Sequence, residues 1–407
     1  MTDSAREKQT ESRQRRIFSN ILAGYSVIGL LMLCMVDAAL HVSDRLFHCF
    51  NPYDSPNHSL VWWAVEAFKK EPNAPDLVLL GSSLMMVAHH AGDATHLNKP
   101  QNEVFHFHSS CLQDELERRL KRRISTFSFA VAGQMASDAY LIASRLLTGD
   151  NKPKAIVYGI APRDLVDNTL PGPSSTETYR YLSRIADTSD VALMSHRSFF
   201  ELLDLAVKRT SFVYSHRDNF LAWQHRLARS LTGRQMPENE FAINCPWMLR
   251  KLALAQFPED NGTNELMIAP YGLHKEPYKD NSQEYKMRYA CIKERTYKTQ
   301  LAFLEKLMNF CRQEGIELFL VNMPLTPDNR ALMPAGFYES YMNKLRRLSS
   351  GYSAHFIDLN NADAFPKVAF ADSVHLNGLG GVTFFRLLAG ELSHDSTIAS
   401  QGQRTNQ

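Results

Sequence analysis

Two short segments near opposite ends of the chain contain side chains suited to acyl transfer. Gly81-Ser82-Ser83 directly follows the apolar run Asp76–Leu80, and Asp372 and His375 stand three residues apart near the other end. A hydroxyl nucleophile, an imidazole that takes its proton and a carboxylate that fixes the imidazole tautomer are the groups that serine-dependent acyl chemistry needs. The residue types therefore predict a serine-dependent site, provided that the fold brings the two segments together.

Apolar strand patterns alternate with helical patterns on both sides of a long central stretch. This alternation predicts an α/β fold with a five-stranded parallel sheet covered by helices on both faces. The predicted strands are Asp76–Leu80, Ser125–Ala132, Lys154–Ile160, Glu317–Met323 and His355–Leu359. Helices are predicted from about Leu84 and at Gln113–Arg123, Ala136–Leu147, Lys298–Glu314, Tyr338–Leu348 and Gly378–Leu392. Because sites collect at the carboxyl ends of parallel strands, we expect Ser83, Gly133 and Gly159 to converge there.

The alternation is interrupted at about 165–297. Helical patterns near Thr178–Ile185 and Phe199–Arg209 predict a mostly helical insertion, which is too long and too apolar for a linker. Two roles stay open for it. The insertion could carry substrate selectivity or a partner surface, or it could only stabilise the domain.

The N-terminal region predicts a membrane anchor. Ile17–Val36 are 20 consecutive residues without a charge, about the length that a bilayer-spanning helix needs, and Arg15-Arg16 precede them. Positive flanking charge stays in the cytoplasm, so a single-pass protein with its main domain in the periplasm or extracellular space is expected. A signal peptide cleaved near Val36-Asp37-Ala38 is the alternative. The predicted organisation is a cytoplasmic tail at 1–16, an anchor at 17–40, a juxtamembrane segment at 41–75, the main domain at 76–395 and a tail at 396–407.

Charge and cysteine usage limit the other classes of function. A net charge of +2 argues against general nucleic-acid binding, and the basic run Arg118–Arg123 is interpreted as the solvated end of an amphipathic helix. The six cysteines show no C-x-x-C or Cys/His metal spacing, and no disulfide pair can be chosen among them. We therefore predict neither a metal nor a cofactor.

Together these segments resemble the SGNH (GDSL-type) hydrolase superfamily. The matching blocks are G-S-S after the first strand, Gly133 after the second, Gly159-Ile160-Ala161-Pro162-Arg163-Asp164 after the third, and Asp372-x-x-His375 near the C-terminus. The chain is most similar to the membrane-anchored branch with G-S-S, which includes proteins of D-alanyl lipoteichoic-acid transfer and of alginate O-acetylation. The resemblance covers residues 76–168 and 317–392 and implies a flavodoxin-like fold.

The resemblance also implies roles for individual residues. Ser83 would be the nucleophile, His375 the general base and Asp372 its orienting acceptor. Ser82 stands where the family has Asp, and either serine could instead simply cap the following helix. His89 and His90, farther along that helix, are interpreted as ordinary helix residues.

The oxyanion hole implied by the resemblance is incomplete. The N–H groups of Ser83 and Gly133 match two donors, but Ala161 stands where the family has an Asn side chain. We predict Arg163 as the replacement donor, with Asn168 as a second candidate; a structural ion pair between Arg163 and Asp164 is the alternative.

Two residues after the fourth strand are further candidates. Asn322 and Arg330 are predicted to bind substrate beside the site, with ordinary polar loop roles as the alternative.

The expected function is that of an extracytoplasmic serine acyl esterase or O-acyltransferase. Its substrate would be a cell-envelope carbohydrate or polymer, and the resemblance implies a membrane-bound O-acyltransferase as partner. The alternative is a non-catalytic scaffold or binding subunit of an envelope polysaccharide-modifying complex.

Overall fold

The computed structural model describes residues 3–47, 59–170, 172–195, 199–233, 267–272, 278–395 and 398. Its helices in chain order are α1 (Asp3–Phe47), α2 (Leu60–Phe68), α3 (Ser83–His96), α4 (Ser110–Leu120), α5 (Ala136–Leu146), α6 (Arg163–Val166), α7 (Glu177–Ile185), α8 (Ser189–Ser195), α9 (Phe199–Thr210), α10 (Phe212–Ser215), α11 (Arg217–Thr232), α12 (Ser282–Tyr289), α13 (Glu294–Glu314), α14 (Pro327–Arg330), α15 (Phe337–Tyr352) and α16 (Gly378–His394). Its strands are β1 (Leu77–Gly81), β2 (Gln101–Asn102), β3 (Thr126–Ser128), β4 (Ala155–Ile160), β5 (Met267–Ile268), β6 (Glu317–Asn322) and β7 (His355–Asp358).

The predicted five-stranded parallel sheet is confirmed, in the spatial order β3-β1-β4-β6-β7. Every residue of β1 and β4 is buried, so both faces of the sheet are covered at these strands. Among the sheet strands taken in chain order, the spatial order is 2-1-3-4-5. The order therefore changes direction at β1, and the carboxyl ends of β1 and its neighbours flank the crevice where doubly wound sheets bind ligands.

The described residues fall into two compact units. One unit, Asn57–His196 and Pro237–Gln407, contains the sheet and the short antiparallel pair of β2 and β5. The other, Met1–Pro56 and Arg197–Met236, contains α1 and α9 to α11. The predicted insertion at 165–297 is thus divided between the units, and its described residues are mostly helical. Three longer segments lie outside the described part of the chain: residues 48–58, residues 234–266 of the insertion, and most of the predicted tail at 396–407. Cys49 and Cys245 fall within the first two segments.

Gly24–Leu46 of α1 is long and apolar enough to cross a membrane, and its side chains are not buried against other residues of the structure. The predicted span begins earlier, at Ile17, where side chains lie outside the described part. The Asp37 carboxylate within this helix accepts hydrogen bonds from the N–H groups of Phe212 and Val213, 2.9 and 2.8 Å away, at the start of α10. These bonds satisfy the acidic group that lies within the apolar part of the segment.

Candidate active site

The nucleophile candidate Ser83 is the first residue of α3 and follows β1 by one residue. Ser82 precedes it as the helix N-cap, in extended conformation, and is 1% exposed, whereas Ser83 is only half-buried. The Ser83 N–H finds no acceptor among the residues that the structure describes, as expected for the first turn of a helix. This N–H, at the positive end of the helix dipole, could therefore stabilise an oxyanion.

The structure brings Ser83, His375 and Asp372 together in one chain of hydrogen bonds. The Ser83 hydroxyl lies 2.8 Å from His375 Nε2, and His375 Nδ1–H donates to Asp372 Oδ2 at 2.6 Å. It is Ser83, and not Ser82, whose hydroxyl meets the imidazole. The three groups have the geometry of a nucleophile, a general base and an orienting carboxylate.

The carboxylate of Asp372 holds the Asp372–His375 segment in one turn. Asp372 Oδ1 accepts the backbone N–H groups of Val374 and His375, at 2.8 and 2.7 Å, while Oδ2 accepts the imidazole N–H. Burial raises the pKa of Asp372, but the hydrogen bonds and charge of His375 and the backbone donors outweigh burial and hold the pKa below its ordinary value. Asp372 is therefore an anion under ordinary conditions and fixes the imidazole tautomer.

Ser373 fastens this turn to the rest of the domain. Its hydroxyl and N–H both donate to Asn281 Oδ1, and its carbonyl accepts the Thr326 hydroxyl at 2.9 Å. Asn329 Nδ2 donates to the Ser373 hydroxyl at 3.1 Å. Sequence reasoning missed Asn281, because an amide 92 residues from its partner carries no local signal.

Gly133 and Gln134 form the loop that follows β3. Gly133 has φ +82°, a region that favours glycine, and no acceptor for its N–H is found within the described ranges. Gln134 is buried; its Oε1 accepts the Gly81 N–H at 2.8 Å and its Nε2 donates to the Phe129 carbonyl at 3.0 Å. The loop is thus tied to the end of β1, directly before Ser83. Gln134 is a positioning residue that the sequence did not reveal.

Arg163 does not suit its predicted role as an oxyanion donor. It is 4% exposed, and its guanidinium pairs with Asp164 at 2.9 Å and with Asp167 at 3.0 Å, and also donates to the Gln134 carbonyl. These carboxylates raise the pKa of Arg163 although burial alone would lower it. Since every side-chain nitrogen of Arg163 has an acceptor, we do not assign Arg163 as an oxyanion donor. The alternative prediction, a structural ion pair with Asp164, fits the geometry.

The other replacement donors are engaged as well. The Ala161 N–H donates to Asp164 Oδ2 at 2.9 Å, and Asn168 Nδ2 donates to the Arg288 carbonyl at 2.9 Å. The N–H groups of Ser83 and Gly133 therefore remain as the predicted donors, and no third donor is identified among the described residues.

Asn322 also differs from its prediction. It is fully buried at the end of β6, where its Nδ2 donates to Tyr338 and Asp358 and its Oδ1 accepts the Tyr341 hydroxyl. No polar atom of Asn322 is left for a substrate, so its role is to tie β6 to β7 and α15. The Arg330 guanidinium lies 5.6 Å from the centre of the Tyr338 ring, and its substrate role stays a prediction.

Comparison with known proteins assigns no function to this arrangement. One family model, of an uncharacterised family, matches residues 283–396. The match includes β6, β7 and the Asp372–His375 turn but not Ser83, and it covers well under half of the chain. Among curated proteins nothing matches this chain.

Proposed function

We propose that this protein is a membrane-anchored serine acyl esterase or O-acyltransferase of the SGNH type. The observation that carries the proposal is the hydrogen-bond chain from Ser83 through His375 to Asp372. The sheet order 2-1-3-4-5, which is that of flavodoxin-like folds, supports it, because Ser83 follows the strand at which the order changes direction.

The reaction would begin with attack of Ser83 Oγ on the carbonyl carbon of an ester. The hydroxyl proton passes to His375 Nε2, and the carbonyl becomes a tetrahedral oxyanion that the N–H groups of Ser83 and Gly133 stabilise. The imidazolium then protonates the leaving oxygen, the C–O bond breaks and an acyl-Ser83 intermediate remains. Attack on this intermediate by water gives hydrolysis, and attack by a sugar hydroxyl gives acyl transfer.

A substrate of the cell envelope follows from the proposed location. The apolar helix Gly24–Leu46 supports an anchor, and in the same compact unit α9 exposes Phe199 and Phe200, which are 72% and 77% accessible. Large exposed apolar side chains near a membrane helix favour contact with lipid or a membrane protein. We therefore propose an envelope carbohydrate or polymer as the acyl acceptor and a membrane-bound O-acyltransferase as partner.

A scaffold role is the second candidate, and the oxyanion hole favours it. Ala161 lacks a side-chain donor and Arg163 is committed to two carboxylates. Loss of one oxyanion donor lowers turnover by about 10²–10³-fold. A chain with two donors could therefore retain the fold and bind envelope polymer with little catalysis.

Labelling of the full chain in detergent with a fluorophosphonate probe separates the two candidates. A catalyst is expected to be labelled on Ser83, and Ser83→Ala should lose the label. Ser82→Ala is the matched control, because Ser82 is the neighbouring hydroxyl but does not meet the imidazole; this variant should keep the label. Absence of labelling in the folded wild-type protein, or equal labelling of Ser83→Ala, would exclude the serine mechanism.

A further inference from the structure

Three potential metal ligands meet on the helix that begins with Ser83. His89 and Asp93 stand four residues apart on α3 and so share one face of the helix. His106 comes from the segment between β2 and α4. One ligand atom from each of the three residues lies within 4.8 Å of the other two.

The imidazole of His89 lacks the partners that a buried polar group requires. His89 is fully buried, and neither ring nitrogen makes a hydrogen bond within the part of the chain that the structure describes. Its Nε2 faces Asp93 Oδ2 at 3.4 Å without the alignment of a hydrogen bond. An unsatisfied buried nitrogen destabilises the folded protein, so a ligand for this nitrogen would remove that penalty.

The distance between His89 and Asp93 fits two ligands of one ion better than a hydrogen bond, whereas His106 and Asp93 lie at hydrogen-bond distance. Metal–ligand bonds of about 2.0–2.1 Å in tetrahedral geometry place two ligand atoms about 3.3 Å apart. The His89–Asp93 distance already has this value. His106 Nε2 lies 2.7 Å from the same carboxylate oxygen and would need to open by about 0.6 Å, which its partly exposed side chain permits.

We propose that His89, Asp93 and His106 bind one divalent transition-metal ion, with zinc as the best match. Two imidazoles and one carboxylate are a donor set that zinc accepts, and water completes such sites. From the sequence we predicted no metal, since the cysteines lacked ligand spacing. His89 and Asp93 have helical spacing, but the third ligand, His106, lies outside α3.

The surroundings of the cluster indicate a stabilising ion. Asp93 also accepts the N–H groups of Ser110 and Cys111, at 2.7 and 2.8 Å, and so caps α4. An ion on Asp93 would therefore connect α3, the segment before α4 and α4 itself. Since His89 and Asp93 are fully buried, the ion would rigidify the helix that presents Ser83 and would not meet the substrate.

Metal binding by the full chain in detergent tests this proposal. After treatment with a chelator, the wild-type protein should take up one equivalent of Zn²⁺, and Co²⁺ should show the intense visible bands of a tetrahedral site. His106→Ala and Asp93→Asn should weaken binding by more than about 100-fold, since ligand loss exceeds the 10–100-fold effect of outer-shell changes. His106→Ala is the primary variant because this side chain is partly exposed.

His96→Ala is the matched control. His96 is on the same helix and lies 2.7 Å from the Asp114 carboxylate, but the structure describes no third ligand beside this pair. This variant should bind zinc as the wild type does. Absence of stoichiometric uptake by the folded wild type, or unchanged affinity in folded His106→Ala, would overturn the proposal and leave Asp93 as a buried helix cap beside two histidines. These readouts do not depend on fluorophosphonate labelling, so the metal site and the serine mechanism can fail separately.

Discussion

At the scale of single residues, the carboxylate of Asp372 has two separable tasks. One oxygen accepts two backbone N–H groups and shapes the turn, while the other accepts the imidazole N–H of His375. An amide can perform the first task but not the second, because its NH₂ group would face Nδ1 and favour the tautomer with a proton on Nε2. That tautomer cannot take the proton of Ser83.

Asp372→Asn is therefore expected to keep the fold and lose about 10⁴-fold in turnover, and His375→Ala to lose about 10⁶-fold. Steady-state hydrolysis of an activated acetate ester, with thermal melting of each variant, measures both effects. Equal activity of Asp372→Asn and wild type would show that this carboxylate does not orient the base.

Arg163 is expected to matter for stability. Arg163→Ala leaves Asp164 and Asp167 buried without their main counter-charge, so the free energy of unfolding should fall by about 3–5 kcal/mol. Arg145→Ala is the control, because Arg145 pairs with Asp190 at a partly exposed position and should cost about 1 kcal/mol or less. Denaturant unfolding gives both values. A stable Arg163→Ala protein with reduced turnover would restore the oxyanion role.

At the scale of elements, the packing of α3 against α16 aligns the nucleophile with the base. Ser83 begins α3, and His375 precedes α16 by two residues. The two helices approach closely where Gly381 meets Gly92: a Cβ on Gly381 would lie 2.5 Å from the Ala88 carbonyl oxygen and 2.7 Å from Gly92 Cα. The absence of side chains at this contact therefore permits the approach.

Gly381→Ala should push the helices apart, with a loss of stability and of probe labelling at Ser83. Overpacking of this kind costs about 1–3 kcal/mol. Gly390→Ala on the same helix is the control, because its nearest atom would be 3.8 Å away; alanine there should be neutral or stabilise by up to about 1 kcal/mol. Melting temperature and labelling rate of the two variants test the prediction, and identical behaviour would refute it.

At the scale of the whole molecule, Asp138 makes the stability of the sheet-containing unit depend on pH. Burial raises the pKa of Asp138 from 3.8 to about 7, against the hydrogen bonds from Thr176 and Met135 that lower it. Between these values the folded protein holds a proton that the unfolded chain has lost. The free energy of unfolding therefore falls as the pH rises through this window, by up to about 4 kcal/mol.

Asp138→Asn should remove this dependence, since an amide stays neutral at every pH. Its NH₂ group can donate to the Thr176 hydroxyl and its oxygen can accept the Met135 N–H, which keeps both hydrogen bonds that the structure describes for Asp138. Melting temperatures from pH 4.5 to 8, with the exposed Asp150→Asn as control, should show a smaller decline only in Asp138→Asn. Parallel curves for wild type and Asp138→Asn would contradict the prediction.

Membrane orientation is the second whole-molecule prediction. With Arg15-Arg16 before the apolar helix, the N-terminus is expected in the cytoplasm. A reporter enzyme that folds only outside the cytoplasm should be active when fused after Gln407 and inactive when fused before Met1. The opposite pattern would reverse the orientation and remove the envelope substrate, and a mature protein that begins near Ala38 would show a cleaved signal peptide.

The parallel sheet and the pairing of Asp372 with His375 could be predicted from the sequence, because both depend on local patterns. Apolar runs at strand length alternate with helical periodicity, and parallel strands then direct Ser83 and Gly133 to the same edge of the sheet. Asp372 and His375 lie within one turn, so their contact needs no distant partner. The residue types and this short spacing were enough to identify the groups that meet.

Which polar groups remain available to a substrate depends on contacts between distant parts of the chain. Arg163 and Asn322 have residue types suited to binding, but carboxylates and tyrosines brought to them by the fold engage every polar side-chain atom of both residues. Gln134 reaches the Gly81 N–H across 53 residues of chain. His89 and His106 meet at Asp93 although His89 lies on α3 and His106 lies in the later segment between β2 and α4. The type of a side chain can be read from the sequence, whereas its remaining hydrogen-bonding capacity depends on partners far along the chain. For this reason the sequence indicated Ser83, Asp372 and His375 but not the residues that hold them in place.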